Sequence, residues 1–206
     1  MKHLFLAVFL LMTLTGAPVA DTLVEKVTPG IGKPAPGFTL PDKDGNRHSL
    51  EQYRGSYVVL EWTNPDCPFV KKHYLSKNMQ KLQKKYTSKK VIWLSICSSA
   101  KGKQGYYTGK ALKKRLKEYA PSHTAYLTDS DGTVGRLHGA KTTPHIFIID
   151  TAGLLLYAGG IDNRPSTQQE DIAGATNYVA AALDAVLAGK KISIPVTKPY
   201  GCSVKY

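Results

Sequence analysis

The chain has 206 residues, and 28 Lys+Arg against 15 Asp+Glu give it a formal net charge of +13. Three cysteines are too few for a disulfide-dense scaffold, so a hydrophobic core must hold the fold. Much of the positive charge falls between Lys71 and Lys90 and between Lys110 and Lys117, where apolar residues recur at helical spacing; this reads as two amphipathic helices with solvated lysine faces and not as a nucleic-acid surface.

Residues 1–20 read as an export signal, with Met1-Lys2-His3 as the basic start, Leu4 to Met12 as the apolar centre and small residues from Thr15 to Ala20. Cleavage is expected near 17–20, and an exported, periplasmic location follows. The apolar centre falls short of the roughly 20 residues that span a bilayer, and no other segment approaches that length. What remains suffices for one domain, expected over 29–189, followed by a tail, 190–206, that carries Cys202.

Thr22 to Pro36 reads as an extended entry segment. Phe38 to Leu50 reads as a hairpin about Asp44-Gly45, and Ser49 with Gln52 as a capping box for a short helix ending near Gly55. Tyr57 to Trp62 is an apolar strand. The spacing of Val70, Tyr74 or Leu75, Met79, Leu82 and Tyr86 predicts one helix from Pro68 to about Tyr86. A second strand, Val91 to Cys97, precedes a helix over Ala111 to Ala120. Short strands follow at Ala125–Leu127, His145–Asp150 and Leu154–Tyr157, the last two forming a hairpin across Asp150–Gly153. A final helix is expected to start at a second capping box, Thr167 with Glu170, and to stop at Gly189. The order β-α-β-α-β-β-α with a mixed sheet is an α/β arrangement of the thioredoxin-like type.

Two places carry chemistry. Cys67 falls between a strand and the first turn of a helix, where free N–H groups and the positive helix end favour a thiolate and lower its pKa. Pro68 fits the first helical turn, Lys71, Lys72 and His73 add charge nearby, and Asp66 opposes them. Thr143-Pro144 stands immediately before a strand, where a thioredoxin-like fold places a cis proline whose preceding residue offers its backbone to a substrate. Val70 occupies the place of the second cysteine of a C-x-x-C motif.

Trp62-Thr63-Asn64-Pro65-Asp66-Cys67-Pro68, Thr142-Thr143-Pro144 with the following His145–Asp150 run, and the Asp150–Gly153 turn together resemble the redoxin branch of the thioredoxin superfamily, the alkyl-hydroperoxide-reductase and thiol-specific-antioxidant (peroxiredoxin-like) proteins. The tail, Lys198 to Tyr206, and Gly160 to Arg164 are similar to a subgroup with a cysteine near its C-terminus. The resemblance implies a thiol-dependent oxidoreductase with Cys67 as nucleophile, acting on a hydroperoxide or a protein disulfide. Its partners would be a thiol reductant or a disulfide-bearing protein, and no cofactor is implied. Against the peroxiredoxin pattern P-x-x-x-[ST]-x-x-C, Leu60 holds the proline place and Asn64 the hydroxyl place.

A thiolate that is oxidised or enters a mixed disulfide needs a second thiol. Cys202 is the expected resolving partner, on a tail that Pro199 and Gly201 should make irregular and mobile; the alternative is a permanent Cys67–Cys202 staple in a non-catalytic binding module. Cys97, at a strand end, reads as a buried small hydrophobe or a second candidate for resolution. Thr143 and Pro144 would shape the substrate groove, with Pro68, His145 and Arg164 as supporting residues. His73 is expected on a solvated helix face, and His145 is expected to face Cys67. Cys67, His73, His138 and His145 lack the compact spacing of a metal site, so none is expected.

Overall fold

The computed structural model describes residues 30–206; the expected export signal and most of the entry segment lie outside them. In chain order the elements are β1 (Thr39–Pro41), β2 (Arg47–Ser49), β3 (Val58–Trp62), α1 (Pro68–Leu75), α2 (Asn78–Thr87), β4 (Ile92–Cys97), α3 (Gly109–Tyr119), β5 (Ala125–Thr128), α4 (Thr133–Leu137), β6 (Thr142–Thr143), β7 (His145–Ile149), β8 (Leu155–Gly159), α5 (Tyr178–Leu187) and β9 (Cys202–Ser203). The central sheet runs β5-β4-β3-β7-β8, with β3, β4 and β5 parallel and β7 antiparallel to both β3 and β8. This mixed sheet flanked by helices is the expected thioredoxin-like arrangement. No helix among the described residues is long and apolar enough to cross a membrane.

All five residues of β3 are buried, because a central strand is covered on both faces and must be apolar nearly throughout. Its pleat divides the interior in two. Val59, with Ile146 and Ile148 of β7 and Tyr157 of β8, packs under α1, α2 and α5. Leu60 and Trp62, with Phe147 and Ile149, pack on the other side against Phe38, Leu40, Leu50 and Val134. Glu61 is the exception to this apolar strand. Its carboxylate is fully buried and accepts from Tyr74 Oη (2.9 Å), Trp93 Nε1 (2.8 Å), Ser95 Oγ (2.9 Å) and Gln83 Nε2 (3.1 Å), joining α1, α2 and β4 around one acceptor. Burial raises its pKa against the pull of those four donors.

The β1–β2 hairpin turns on Gly45 at φ +91°, and Ser49 and Gln52 exchange the two hydrogen bonds of a capping box. Three expected elements differ. The single helix from Pro68 to Tyr86 is two helices, because Lys77 adopts φ +63° and Ser76 Oγ donates to the Lys72 and His73 carbonyls at 2.7 and 3.2 Å. The break rotates α2 so that Met79, Leu82 and Tyr86 are buried while Leu75 is 57% exposed. The final helix starts at Tyr178: Asn177 Oδ1 caps it by accepting from Ala180 N (2.8 Å), and the Thr167–Glu170 stretch leads only into a single 3-10 turn, Glu170–Ile172. The tail is not loose. Val204 N donates to the Lys141 carbonyl (3.1 Å), Ala100 N to that of Lys205 (2.8 Å) and Tyr206 Oη to that of Ala140 (2.8 Å).

Candidate active site

Cys67 is the N-cap of α1, with extended backbone (φ −67°, ψ 125°) and Pro68 in the first helical turn. Its backbone is pinned on both sides, N–H to the Asn64 carbonyl (3.0 Å) and carbonyl to Lys71 N (2.9 Å). Asn64 in turn is held by Asp66 N (2.9 Å) and by its own amide's bond to the Gln104 carbonyl (3.1 Å). The Cys67 side chain is fully buried. Asp66 is drawn away: it accepts from Tyr107 Oη (2.8 Å) and pairs with Arg115 at 3.3 Å, so its charge is compensated locally.

The peptide bond between Thr143 and Pro144 is cis. Thr143 Oγ1 is buried and without a hydrogen-bond partner, and the Thr143 carbonyl accepts from the Cys67 thiol at 3.1 Å. β6 and β9 pair antiparallel, setting Cys202 opposite Thr143 and Ser203 opposite Thr142. Gly201 makes this possible. At φ +133° it passes so close that an added Cβ would sit 2.0 Å from the Thr143 carbonyl oxygen.

The two sulfurs perturb one another. Burial pushes the Cys67 thiol up, but the Cys202 thiol, the Thr143 hydroxyl and the N–H groups of Val70 and Cys202 all favour the thiolate, and the net direction is down. Burial and the neighbouring Cys67 sulfur push Cys202 up to about 11. All three cysteines are free thiols. Cys97 lies apart in a cluster with Leu112, Leu116 and Tyr126, its sulfur against Ser99 Oγ (3.4 Å) and the Gly105 carbonyl (3.5 Å).

Several expected neighbours are placed elsewhere. His73 is not solvated. It is fully buried, and burial lowers its pKa to about 4, so it is neutral at physiological pH. Asn78 Nδ2 donates to His73 Nδ1 (2.9 Å), which leaves Nε2 as the donor to Tyr200 Oη (3.1 Å), and Tyr200 donates onward to Asp162 Oδ1 (2.6 Å). Lys72 is also buried, with its ammonium on the Arg164 carbonyl (2.8 Å). The Arg164 side chain is exposed and reaches the Gly174 carbonyl (3.5 Å). His145 lies on the sheet face opposite the Cys67 core, against Phe147 at 4.3 Å, with Nδ1 accepting from Lys141 N (3.3 Å). Burial takes its pKa down to about 3. The structure therefore brings together Cys67, Pro68, Thr143, Pro144 and Cys202, but neither His145 nor the Arg164 guanidinium.

The residues that hold the tail, His73, Tyr200, Asp162 and Gly201, are missed by sequence reasoning. Gly201 beside Cys202 is the one readable signal, because a glycine next to a functional residue marks close backbone approach.

Residues 31–158 match the model of the AhpC/TSA family. The chain is 27% identical over 162 residues to the thiol-disulfide oxidoreductase ResA of Bacillus cereus, covering 75% of this chain and 86% of that one. A 50-residue stretch, 22% of the chain, is 44% identical to a Mycobacterium tuberculosis protein assigned as a peroxiredoxin and covers 31% of it. Among solved structures, a hypothetical protein of Sinorhizobium meliloti 1021 superimposes with a TM-score of 0.72 at 26% identity, over 86% of this chain and 94% of that one.

Proposed function

Because the chain belongs to the AhpC/TSA family and is a thiol-dependent oxidoreductase of thioredoxin-like fold, we propose that Cys67 and Cys202 are its working redox couple. The observation that carries this reading is the β6–β9 pairing, which holds the tail thiol against the helix-capping thiol. Cys67, with its lowered pKa, is the nucleophile. Cys202, the less acidic thiol, is the resolving group.

The same pairing favours a small oxidant. A polypeptide disulfide would need the Thr143 backbone edge, and β9 already occupies it. A hydroperoxide needs no backbone edge to dock on, and the unpartnered Thr143 hydroxyl can donate to a peroxide oxygen. The Cys67 thiolate attacks the hydroperoxide ROOH, forming Cys67 sulfenic acid and releasing alkoxide, which takes up a proton as ROH. The Cys202 sulfur then attacks the sulfenic sulfur, and its thiol proton leaves with the hydroxyl group as water, giving the Cys67–Cys202 disulfide. The second reading, exchange with a protein disulfide, is favoured by the similarity to ResA and by the cis Thr143-Pro144 bond, and it requires β9 to leave. The export-like pattern of residues 1–20 supports action outside the cytoplasm.

Hydroperoxide consumption in the presence of a dithiol should be lost in Cys67→Ser, while Cys202→Ser, oxidised with no added thiol, should stop after one turnover with Cys67 as sulfenic acid. A Cys67–Cys202 couple below about −300 mV, with no turnover dependent on Cys67, would mark a structural staple and overturn the reading.

A further inference from the structure

Cys67 is fully buried while its thiol is free, so an element that covers it must move before anything from solvent reacts there. Tyr200 and Cys202 of the tail pack on the cluster that contains Cys67. The seat of that tail is on the same helix that Cys67 caps. Tyr200 turns inward onto α1: its ring meets Phe69 edge-on with centroids 6.0 Å apart, and the Lys72 ammonium lies 5.8 Å from its centroid. Its hydroxyl donates to Asp162 Oδ1 and accepts from His73 Nε2. Asp162 and His73 are both buried, a costly seat for a tail that an apolar contact would hold as well. Asp162 Oδ2 has no hydrogen-bond partner, and His73 Nε2 stands 4.0 Å from it. Tyr200 therefore interrupts a pairing that the carboxylate and the imidazole would otherwise make with each other.

We propose that Tyr200, seated on His73 and Asp162, is the positioning residue for Cys202, and that its release takes up one proton at His73, so that acid lifts the tail off Cys67. This deepens, and rests on, the Cys67–Cys202 couple proposed above. While Tyr200 is seated, His73 Nδ1 accepts from Asn78 and Nε2 carries the proton, so the ring is neutral. On release a proton from water adds at Nδ1, and Asn78 turns its carboxamide oxygen toward it. The Nε2–H then takes Asp162 Oδ2, and an imidazolium–carboxylate pair replaces the tyrosine hydroxyl. The groups that face His73 act in both senses. Burial opposes the proton most, Asp162 from the loop after β8 favours it, and Lys72 on the same helix opposes it. Tyr200 keeps its own proton throughout, because burial and Asp162 push its pKa up. Seated, the His73 ring has a pKa of about 4, and in water it would approach 6.5. The released state thus binds the proton more tightly, and a change from pH 7.5 to pH 5 multiplies its population by up to roughly 25-fold.

Hydrogen exchange of the Val204 amide, which donates to the Lys141 carbonyl, reports whether β9 is docked, and the amides of the central strand β3 report global unfolding. In the reduced protein, corrected for the intrinsic pH dependence of exchange, Val204 protection should fall roughly 25-fold from pH 7.5 to pH 5, with β3 better protected than Val204 at both. His73→Gln keeps a side-chain N–H for Tyr200 and cannot titrate. It should hold Val204 as in wild type at pH 7.5 and lose the pH dependence, which a merely structural role for His73 would not produce. Tyr200→Phe should lower Val204 protection about tenfold at pH 7.5. It should also speed alkylation of Cys67 in the Cys202→Ser background and slow formation of the Cys67–Cys202 bond by diamide. Val204 exchanging together with β3 at both pH values, or a pH dependence retained in His73→Gln, overturns the proposal. If diamide forms no Cys67–Cys202 bond in the wild type, the couple fails and the positioning role with it. If the bond forms as fast in Tyr200→Phe as in the wild type, the couple stands and only the positioning role fails.

Discussion

At the scale of single residues, the reactivity proposed for Cys67 rests on its donors more than on nearby cations. Lys72 gives its ammonium to the Arg164 carbonyl, and His73 is neutral. What remains is the Cys202 thiol and N–H, the helix N-terminus, the Val70 N–H and the Thr143 hydroxyl, which has no other hydrogen-bond partner and so is free to serve a thiolate. Thr143→Val removes that donor at nearly constant volume and should raise the Cys67 pKa. A hydrogen bond to a charged group contributes about 1.5–3 kcal/mol, so Cys67-dependent turnover at neutral pH should fall by roughly tenfold or more. The pH profile of Cys67 alkylation in the Cys202→Ser background checks this. An unshifted profile would show that the hydroxyl does not serve the thiolate. The places of Cys67, Pro68, Thr143 and Pro144 in the fold were legible in the sequence because strand-to-helix and X-Pro-strand junctions are local patterns. His73 was misread because its lysine-rich neighbours suggested solvent, while its actual partners, Tyr200 and Asp162, are distant in the chain.

At the scale of elements, β9 decides whether the site has a second thiol. It is only two residues long, Cys202 and Ser203, and depends on Gly201 to lie against Thr143. Gly201→Ala places a Cβ against the Thr143 carbonyl and asks an L-residue to adopt φ +133°, so β9 should lift from β6. Peroxide-driven formation of the Cys67–Cys202 disulfide, followed by gel shift after alkylation, should slow by more than tenfold, while single-turnover oxidation of Cys67 persists. Disulfide formation at the wild-type rate would remove β9 from the argument. The sheet strands were legible because their apolar runs exceed what any loop tolerates. The helix break at Lys77, the late start of α5 and the docked tail were not. Each depends on a side chain bonding to backbone in a way that periodicity does not register: Ser76 Oγ, Asn177 Oδ1 and Tyr206 Oη respectively.

At the scale of the whole molecule, three histidines, His73, His138 and His145, are buried in the interior and His123 is half-buried, and burial favours the neutral ring of each. Burial lowers the pKa of His73, His123 and His138 to about 4 and that of His145 to about 3. Unfolded, each would titrate near 6.5. Between those values the unfolded chain binds protons that the native chain refuses, so stability must fall as pH falls. The loss begins as pH drops through about 6.5 and is complete only near the native values. Each histidine contributes a slope of up to about 1.4 kcal/mol per pH unit within that window. Glu61 and Asp129 work in the opposite sense, because their native pKa values are raised and their neutral forms are favoured on folding in acid. Four histidines against two carboxyls leaves the histidines dominant towards pH 5, where each unfolded ring is almost fully protonated, even with both carboxyls holding their protons in the native chain throughout the window. Urea unfolding at pH 7 and pH 5 should therefore show a lower midpoint at pH 5 with an unchanged m-value. His138→Asn should flatten the dependence, since His138 packs between Phe38, Trp62 and Phe147 and takes no part in the proposed couple. A midpoint independent of pH across this window would mean that these rings are not held neutral in the native chain.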